Sequence, residues 1–141
     1  MSYVKAFIAG FVATLVFHQG VFAALHAAGL IPRPAFDLTP VPPLGVPAVI
    51  SLAFWGGVWG MVVWWLIQNA RGARYWLYAI LLGAIGPSLV ALFIVFPLKG
   101  GAVAGGWDPR LIVGALILNG AWGFGMALFM RLMQRPKAVA A

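Results

Sequence analysis

The chain has no cysteine and very little charge. The absence of cysteine among its 141 residues excludes disulfides, thioether-linked haem, cysteine-bound iron–sulfur clusters and thiol catalysis. Charged side chains make up 8% of the residues, and only Asp37 and Asp108 are acidic. Apolar side chains make up 64%, and the mean hydropathy is +1.02. A soluble domain of this size has too little interior to hide so much apolar surface, so the composition predicts lipid as the main solvent.

Four long segments carry no charge at all. They run 27, 33, 24 and 20 residues and lie between Lys5 and Arg33, Asp37 and Arg71, Arg74 and Lys99, and Arg110 and Arg131. Because about 20 helical residues cross a hydrocarbon core of about 30 Å, each segment can hold one membrane span. We predict an all-α, polytopic membrane protein, with residues 1–141 forming a single transmembrane domain. The predicted four-helix bundle has helices at residues 6–28, 47–68, 75–96 and 110–132.

The basic residues are distributed unevenly between the two ends of this predicted bundle. One end holds six basic and no acidic residues: Lys5, Arg71, Arg74, Arg131, Arg135 and Lys137. The other end holds Arg33, Lys99, Arg110 and both aspartates. Since lysine and arginine are retained on the cytoplasmic side, we expect both termini to be cytoplasmic. The basic residues behind the net charge of +7 then serve to orient the protein in the membrane. We expect no nucleic-acid partner, because the basic residues form no shared face.

The first loop at the less basic end, residues 31–46, is rich in proline. Its prolines are Pro32, Pro34, Pro40, Pro42 and Pro43. Because proline fixes the backbone, we expect a stiff, extended loop. The loop is either a docking surface or lid, or a solvated connector with no further role.

Small residues recur at helical spacing in the predicted spans. Apolar burial drives little association within lipid, so close approach through small residues becomes the main attraction between helices. The residues predicted to pack helices together are Gly10, Thr14, Gly56, Gly60, Ala121 and Gly125. They join either helices of one chain or helices of two chains, and the pattern fits both.

A short motif indicates an internal repeat. Residues 59–61 read WGM and residues 124–126 read FGM, while Gly10 and Ala13 resemble Gly83 and Gly86. Matching motifs in alternate spans predict two repeated helical hairpins, related by an axis along the membrane normal.

A few polar side chains fall near the middle of the predicted membrane. The rise per residue places His18, Ser88 and Asn119 at similar depth, with Gln19 adjacent. Pro87 removes a helical hydrogen bond, so we also expect a helix kink that frees the Gly83 carbonyl. Polar groups at this depth are costly, which makes this midplane polar layer the candidate site.

The layer has two interpretations. In one, neutral His18 donates to Asn119, Ser88 or the free carbonyl and fastens the bundle. In the other, His18 relays protons, because imidazole titrates near neutral pH. No catalytic residues are predicted, since Ser88 lacks an activated-serine motif and an oxyanion donor. We therefore expect no enzyme activity.

No cofactor or metal is expected either. His18 and His26 stand eight residues apart on one helix, about 12 Å along its axis, which prevents both from ligating one iron in the same chain. The sequence leaves open whether haem or lipid is bound between subunits.

Three tryptophans also lie deep in the predicted spans: Trp55, Trp59 and Trp122. We expect their indole donors to face neighbouring helices or backbone carbonyls.

Several motifs resemble small uncharacterised inner-membrane proteins of bacteria. They are GFVATLVFHQG, FDLTPVPPLGVP, LAFWGGVWG and FPLKG. A fainter similarity to the YagU-like inner-membrane family rests on FPLKG and on MRLMQR after the last helix. The resemblance implies a multi-pass protein of the bacterial inner membrane and no particular site.

We expect a non-enzymatic accessory or structural subunit, or an oligomerising helix bundle. Its expected partners are membrane lipid and, in addition, either further copies of the chain or other membrane proteins. The alternative is a small channel or carrier that uses the polar layer around His18.

Overall fold

The protein is an all-α bundle of four helices, described for residues 1–134 in a computed structural model. The helices are α1 (Ser2–Ala27), α2 (Ala48–Ile67), α3 (Ala73–Leu98) and α4 (Pro109–Met133). Each is long and apolar enough to cross a membrane, which confirms the predicted spans to within four residues at every end. Arg135 and Lys137, predicted at the basic end, lie outside the described residues.

Local sequence explains where the helices begin and end. Asp108 accepts a hydrogen bond from the Arg110 backbone N–H at 2.9 Å, and Pro109 occupies the first turn of α4, as expected for a helix start. Between α2 and α3 the chain turns at Gly72, whose φ of 58° favours glycine. The Lys5 ammonium donates to the Met133 carbonyl at the end of α4, at 3.1 Å.

Helix α1 lies between α2 and α4, and α3 packs on the other side of α4. Helices α2 and α3 meet more loosely, with Trp59 against Gly86. The order α2–α1–α4–α3 brings Lys5, Arg71, Arg74 and Arg131 to one end of the bundle, which we call the basic end. The loops at residues 28–47 and 99–108 form the opposite end, which we call the loop end.

The closest helix contacts are between glycines. A methyl group added to Gly10 would overlap the Gly56 carbonyl oxygen and lie 3.0 Å from Gly60 Cα. In the other hairpin, a methyl group on Gly83 would lie 2.7 Å from Gly123 Cα. Glycine therefore allows the backbones of α1 and α2, and of α3 and α4, to touch, as small residues do in lipid.

These contacts support the internal repeat but change its register. Gly60 packs on the Ala6 carbonyl and on Gly10, while Gly123 packs in the same way on the Ala79 carbonyl and on Gly83. Gly123, rather than the predicted Gly125, is thus the counterpart of Gly60. Small residues occupy every second position in this part of α4. The match between residues 59–61 and 124–126 is therefore too short to choose between neighbouring alignments of the two hairpins.

The proline-rich loop is more ordered than an extended chain. Pro40–Val41 pairs with Val46–Pro47 as a short antiparallel hairpin that turns at Gly45, where φ is 69°. Hydrogen bonds from the side chain and backbone of Thr39 hold the pKa of Asp37 below its ordinary value. A short left-handed turn at Val103–Trp107, with positive φ at Ala104, Gly105, Gly106 and Trp107, closes the other connection at the loop end.

Candidate functional site: polar groups within the bundle

Ser88 and Asn119 form a hydrogen bond between α3 and α4. The Asn119 side-chain amide donates to the Ser88 hydroxyl at 2.9 Å. Ser88 is buried and Asn119 is half-buried. Asn119 lies one turn before Gly123, on the face that packs against Gly83, so the glycine contact brings the two side chains together. The pair joins two neighbouring helices within the apolar interior.

His18 and Gln19 form a second, separate pair on α1. The Gln19 amide nitrogen lies 3.1 Å from His18 Nδ1, while its oxygen accepts from the Phe36 backbone N–H at 2.7 Å. Gln19 is buried, and Phe36 has a left-handed backbone with φ of 57°. Gln19 therefore ties α1 to the proline-rich loop.

The predicted midplane layer is only partly assembled. Within residues 1–134, no hydrogen bond joins His18 to Ser88, Asn119 or the Gly83 carbonyl. The partners expected for His18 are thus wrong. The adjacent Gln19 is its hydrogen-bond partner instead, and Gln19 is itself bonded to the proline-rich loop. Depth along a helix is readable from sequence, whereas the direction around its axis depends on packing.

Local widening of two helices contributes to this difference. Residues Thr14–His18 in α1 and Ala91–Val95 in α3 are π-helical. A π-helical turn shifts the following side chains around the helix axis relative to a regular α-helix, so spacing rules fail beyond it. The helix continues through Pro87, and the irregularity that we expected there begins four residues later, at Ala91.

The Gly10 carbonyl is a polar junction of the bundle interior. It accepts hydrogen bonds from the Thr14 hydroxyl and from the Trp122 indole nitrogen, each at 2.9 Å. This confirms the expectation that the Trp122 donor reaches a backbone carbonyl. The matching expectation for Trp55 is wrong, since its side chain is 58% exposed on the outer face of α2. Gly10 thereby connects α1 to α2 by packing and to α4 by a hydrogen bond.

Two further predicted packing residues, Gly56 and Gly125, make contacts within the chain. Gly56 faces Thr14, and a side chain on Gly125 would overlap the Phe17 ring. Ala121 is half-buried on α4. The sequence left open whether the small residues join helices of one chain or of two. Contacts within one chain account for five of them: Gly10, Thr14, Gly56, Gly60 and Gly125.

His26 lies at the end of α1, where its Nδ1 is 2.8 Å from the Ile31 carbonyl. Within residues 1–134, no group of three or more histidine or acidic side chains is placed to hold a metal ion.

This architecture is that of a multi-pass membrane helix bundle. Comparison with protein-family models, with curated proteins and with solved structures gave no match.

Proposed function

We propose that the protein is a non-enzymatic accessory subunit that packs against another transmembrane helix through the outer half of α1. The observation that carries the proposal is a small-residue face left unused by the bundle. Gly20, Ala24 and Ala27 are exposed, and a methyl group added to Gly20 would meet nothing within 4 Å. Positions spaced by four and three residues share one side of a helix, so the three form a continuous strip, the α1 outer face.

The physical argument rests on how helices associate in lipid. A strip of glycine and alanine lets a second backbone approach closely and gain van der Waals contact, which bulky lipid-facing side chains would prevent. The outer half of α1 touches the rest of the bundle only lightly, mainly through α4. A helix from a second copy of the chain or from another membrane protein would cover the strip.

The proposal includes a location and an orientation. The basic end carries Lys5, Arg71, Arg74 and Arg131 without an acidic residue, whereas both aspartates lie at the loop end. This asymmetry supports an inner-membrane protein with a cytoplasmic basic end. The α1 outer face then lies in the leaflet away from the cytoplasm.

Replacing Gly20 with leucine is expected to dissociate the assembly without unfolding the chain. Leucine fills open space on α1 but keeps a partner backbone away, at a cost of about 1.4 kcal/mol, or about tenfold in association. Native mass spectrometry in lipid nanodiscs measures the fraction of protein in species heavier than 15.0 kDa. Gly114→Leu is the matched control, because Gly114 on α4 also has open space around it. Equal assembly of both variants and the parent protein would refute the proposal.

A small channel or carrier is the second candidate. The observation in its favour is the continuous polar path from the Phe36 backbone through Gln19 to His18, which leads from the loop end into the bundle. Replacing His18 with phenylalanine is expected to abolish pH-dependent flux in proteoliposomes if this path conducts. A folded variant with unchanged flux and pH response would eliminate this candidate.

A further inference from the structure

A cavity of about 650 Å³ opens at the basic end of the bundle. It lies where α2 ends, α3 begins and α4 ends. Its polar and aromatic lining includes Trp64, Gln68, Arg71, Tyr75 and Arg131. Leu128 and Leu132 of α4 form an apolar side, and Leu132 is 45% exposed on the bundle surface. The cavity thus has a cationic part and a part that continues onto the lipid-facing surface.

The charge in this cavity is uncompensated by acidic side chains. The only acidic residues of the chain, Asp37 and Asp108, belong to the loop end. Arg71 and Arg131 therefore line the cavity without a carboxylate side chain to pair with. Two guanidinium groups around one space favour an anion, since each can donate two hydrogen bonds to adjacent phosphate oxygens.

Arg131 is positioned by its neighbours. Its guanidinium carbon lies 4.3 Å from the centre of the Tyr75 ring, and the Tyr75 hydroxyl donates to the Ala127 carbonyl at 2.8 Å. Tyr75 belongs to α3, and its hydroxyl fixes the ring to α4. The face of the ring then supports the guanidinium of Arg131, which belongs to α4. A guanidinium that rests on an aromatic face keeps its edge N–H groups for a ligand, so less conformational entropy is lost on binding.

Trp64 provides an independent polar observation. It lines the cavity and is 7% exposed, and its indole nitrogen has no hydrogen-bond partner. It is the only such buried side-chain atom found in residues 1–134. Buried polar groups are normally paired, so this donor is an exception, and it belongs to a residue of the cavity wall.

We propose that this cavity binds the phosphate group of an anionic phospholipid, with the acyl chains lying along Leu128 and Leu132. The membrane interface is the level at which phosphates and aromatic side chains both reside. Trp76 in the cavity lining and the neighbouring Trp65, which is 61% exposed, fit that level. The apolar side favours a lipid over free phosphate, because inorganic phosphate has nothing to place there.

The test uses the whole protein in nanodiscs of zwitterionic phosphatidylcholine. Short-chain phosphatidylglycerol is titrated in, and tryptophan fluorescence reports binding, because Trp64 and Trp76 line the cavity. Titrations with inorganic phosphate and with short-chain phosphatidylcholine run in parallel. A saturable change with phosphatidylglycerol alone is the expected result. An equal response to inorganic phosphate would overturn the lipid assignment, and an equal response to phosphatidylcholine would overturn the need for an anion.

Variants locate the binding. Arg131→Gln and Arg71→Gln should each weaken phosphatidylglycerol binding about tenfold, as expected for the loss of one charge-assisted contact. Both arginines are exposed residues, so the bundle does not depend on them for folding. Arg110→Gln at the loop end is the matched control and should bind like the parent protein. Unchanged binding in both cavity variants, or equal loss in the control, would refute the site.

Discussion

Replacing Gly10 with alanine is expected to destabilise the bundle by about 3 kcal/mol, a cost in the range of overpacking a tight interior. The added methyl group would overlap the Gly56 carbonyl oxygen and lie 3.0 Å from Gly60 Cα. Both obstacles are backbone atoms of α2, so no side chain can rotate to make room. Helices α1 and α2 would have to separate. The Gly10 carbonyl would then move away from Trp122, which donates to it from α4.

The measurement is the midpoint of unfolding by sodium dodecyl sulfate in mixed micelles, followed by the tryptophan signal. Gly114→Ala is the control, since it places the same methyl group in open space and lies outside the α1 outer face. We expect this control to unfold like the parent protein or slightly later, because alanine favours the helix over glycine by up to about 1 kcal/mol. Equal midpoints for the two variants would show that α1 and α2 do not meet at Gly10.

Replacing Gly123 with alanine is expected to destabilise the second hairpin by a similar amount, about 3 kcal/mol. The new methyl group would overlap the Ala79 carbonyl oxygen and lie 3.1 Å from Gly83 Cα. Separation of α3 from α4 would also stretch the hydrogen bond between Asn119 and Ser88, which lies one turn away. The loss of a polar contact within lipid adds to the packing cost.

The same unfolding midpoint measures this variant, and Gly114→Ala on the same helix is its control. If the hairpins are repeats, Gly123→Ala and Gly60→Ala should shift the midpoint alike, because each methyl group meets the corresponding carbonyl. A large shift for Gly60→Ala combined with none for Gly123→Ala would contradict the equivalence.

The helices were predictable because their signals are local. Charge-free runs and the cap at Asp108 depend on a few adjacent residues and on the thickness of a bilayer. The glycines at positions 10, 56 and 60 were also predictable as packing residues, since small residues at spacing four have few other uses in lipid. The contacts at these positions agree with that prediction.

The polar site was harder to predict because it depends on rotation about each helix axis. The similar depth of Ser88 and Asn119 suggested their contact, and they are hydrogen-bonded. His18 has the same depth, yet its partner is the adjacent Gln19. The π-helical turn that ends at His18 changes the direction of the residues after it, and nothing in the local composition marks that turn.

The cavity at the basic end was missed for a different reason. Arg71 and Arg131 were interpreted as orientation signals, which explains their location at one end of the bundle. They are 60 positions apart in the chain, and only the packing of α4 against α3 brings both to one space. The signal available in the sequence was the clustering of Trp64, Tyr75 and Trp76 at the same end.

The central claim is that the α1 outer face contacts another transmembrane helix, and cysteine crosslinking in native membranes tests it most directly. The chain has no cysteine, so Ala24→Cys introduces a single thiol on that face. Val113→Cys is the control, because it lies near the loop end of α4 and is 52% exposed. We predict that a thiol-reactive crosslinker gives one discrete adduct, heavier than the 15.0 kDa chain, for Ala24→Cys and none for Val113→Cys. No adduct at Ala24→Cys, or the same adduct at both positions, would contradict the claim.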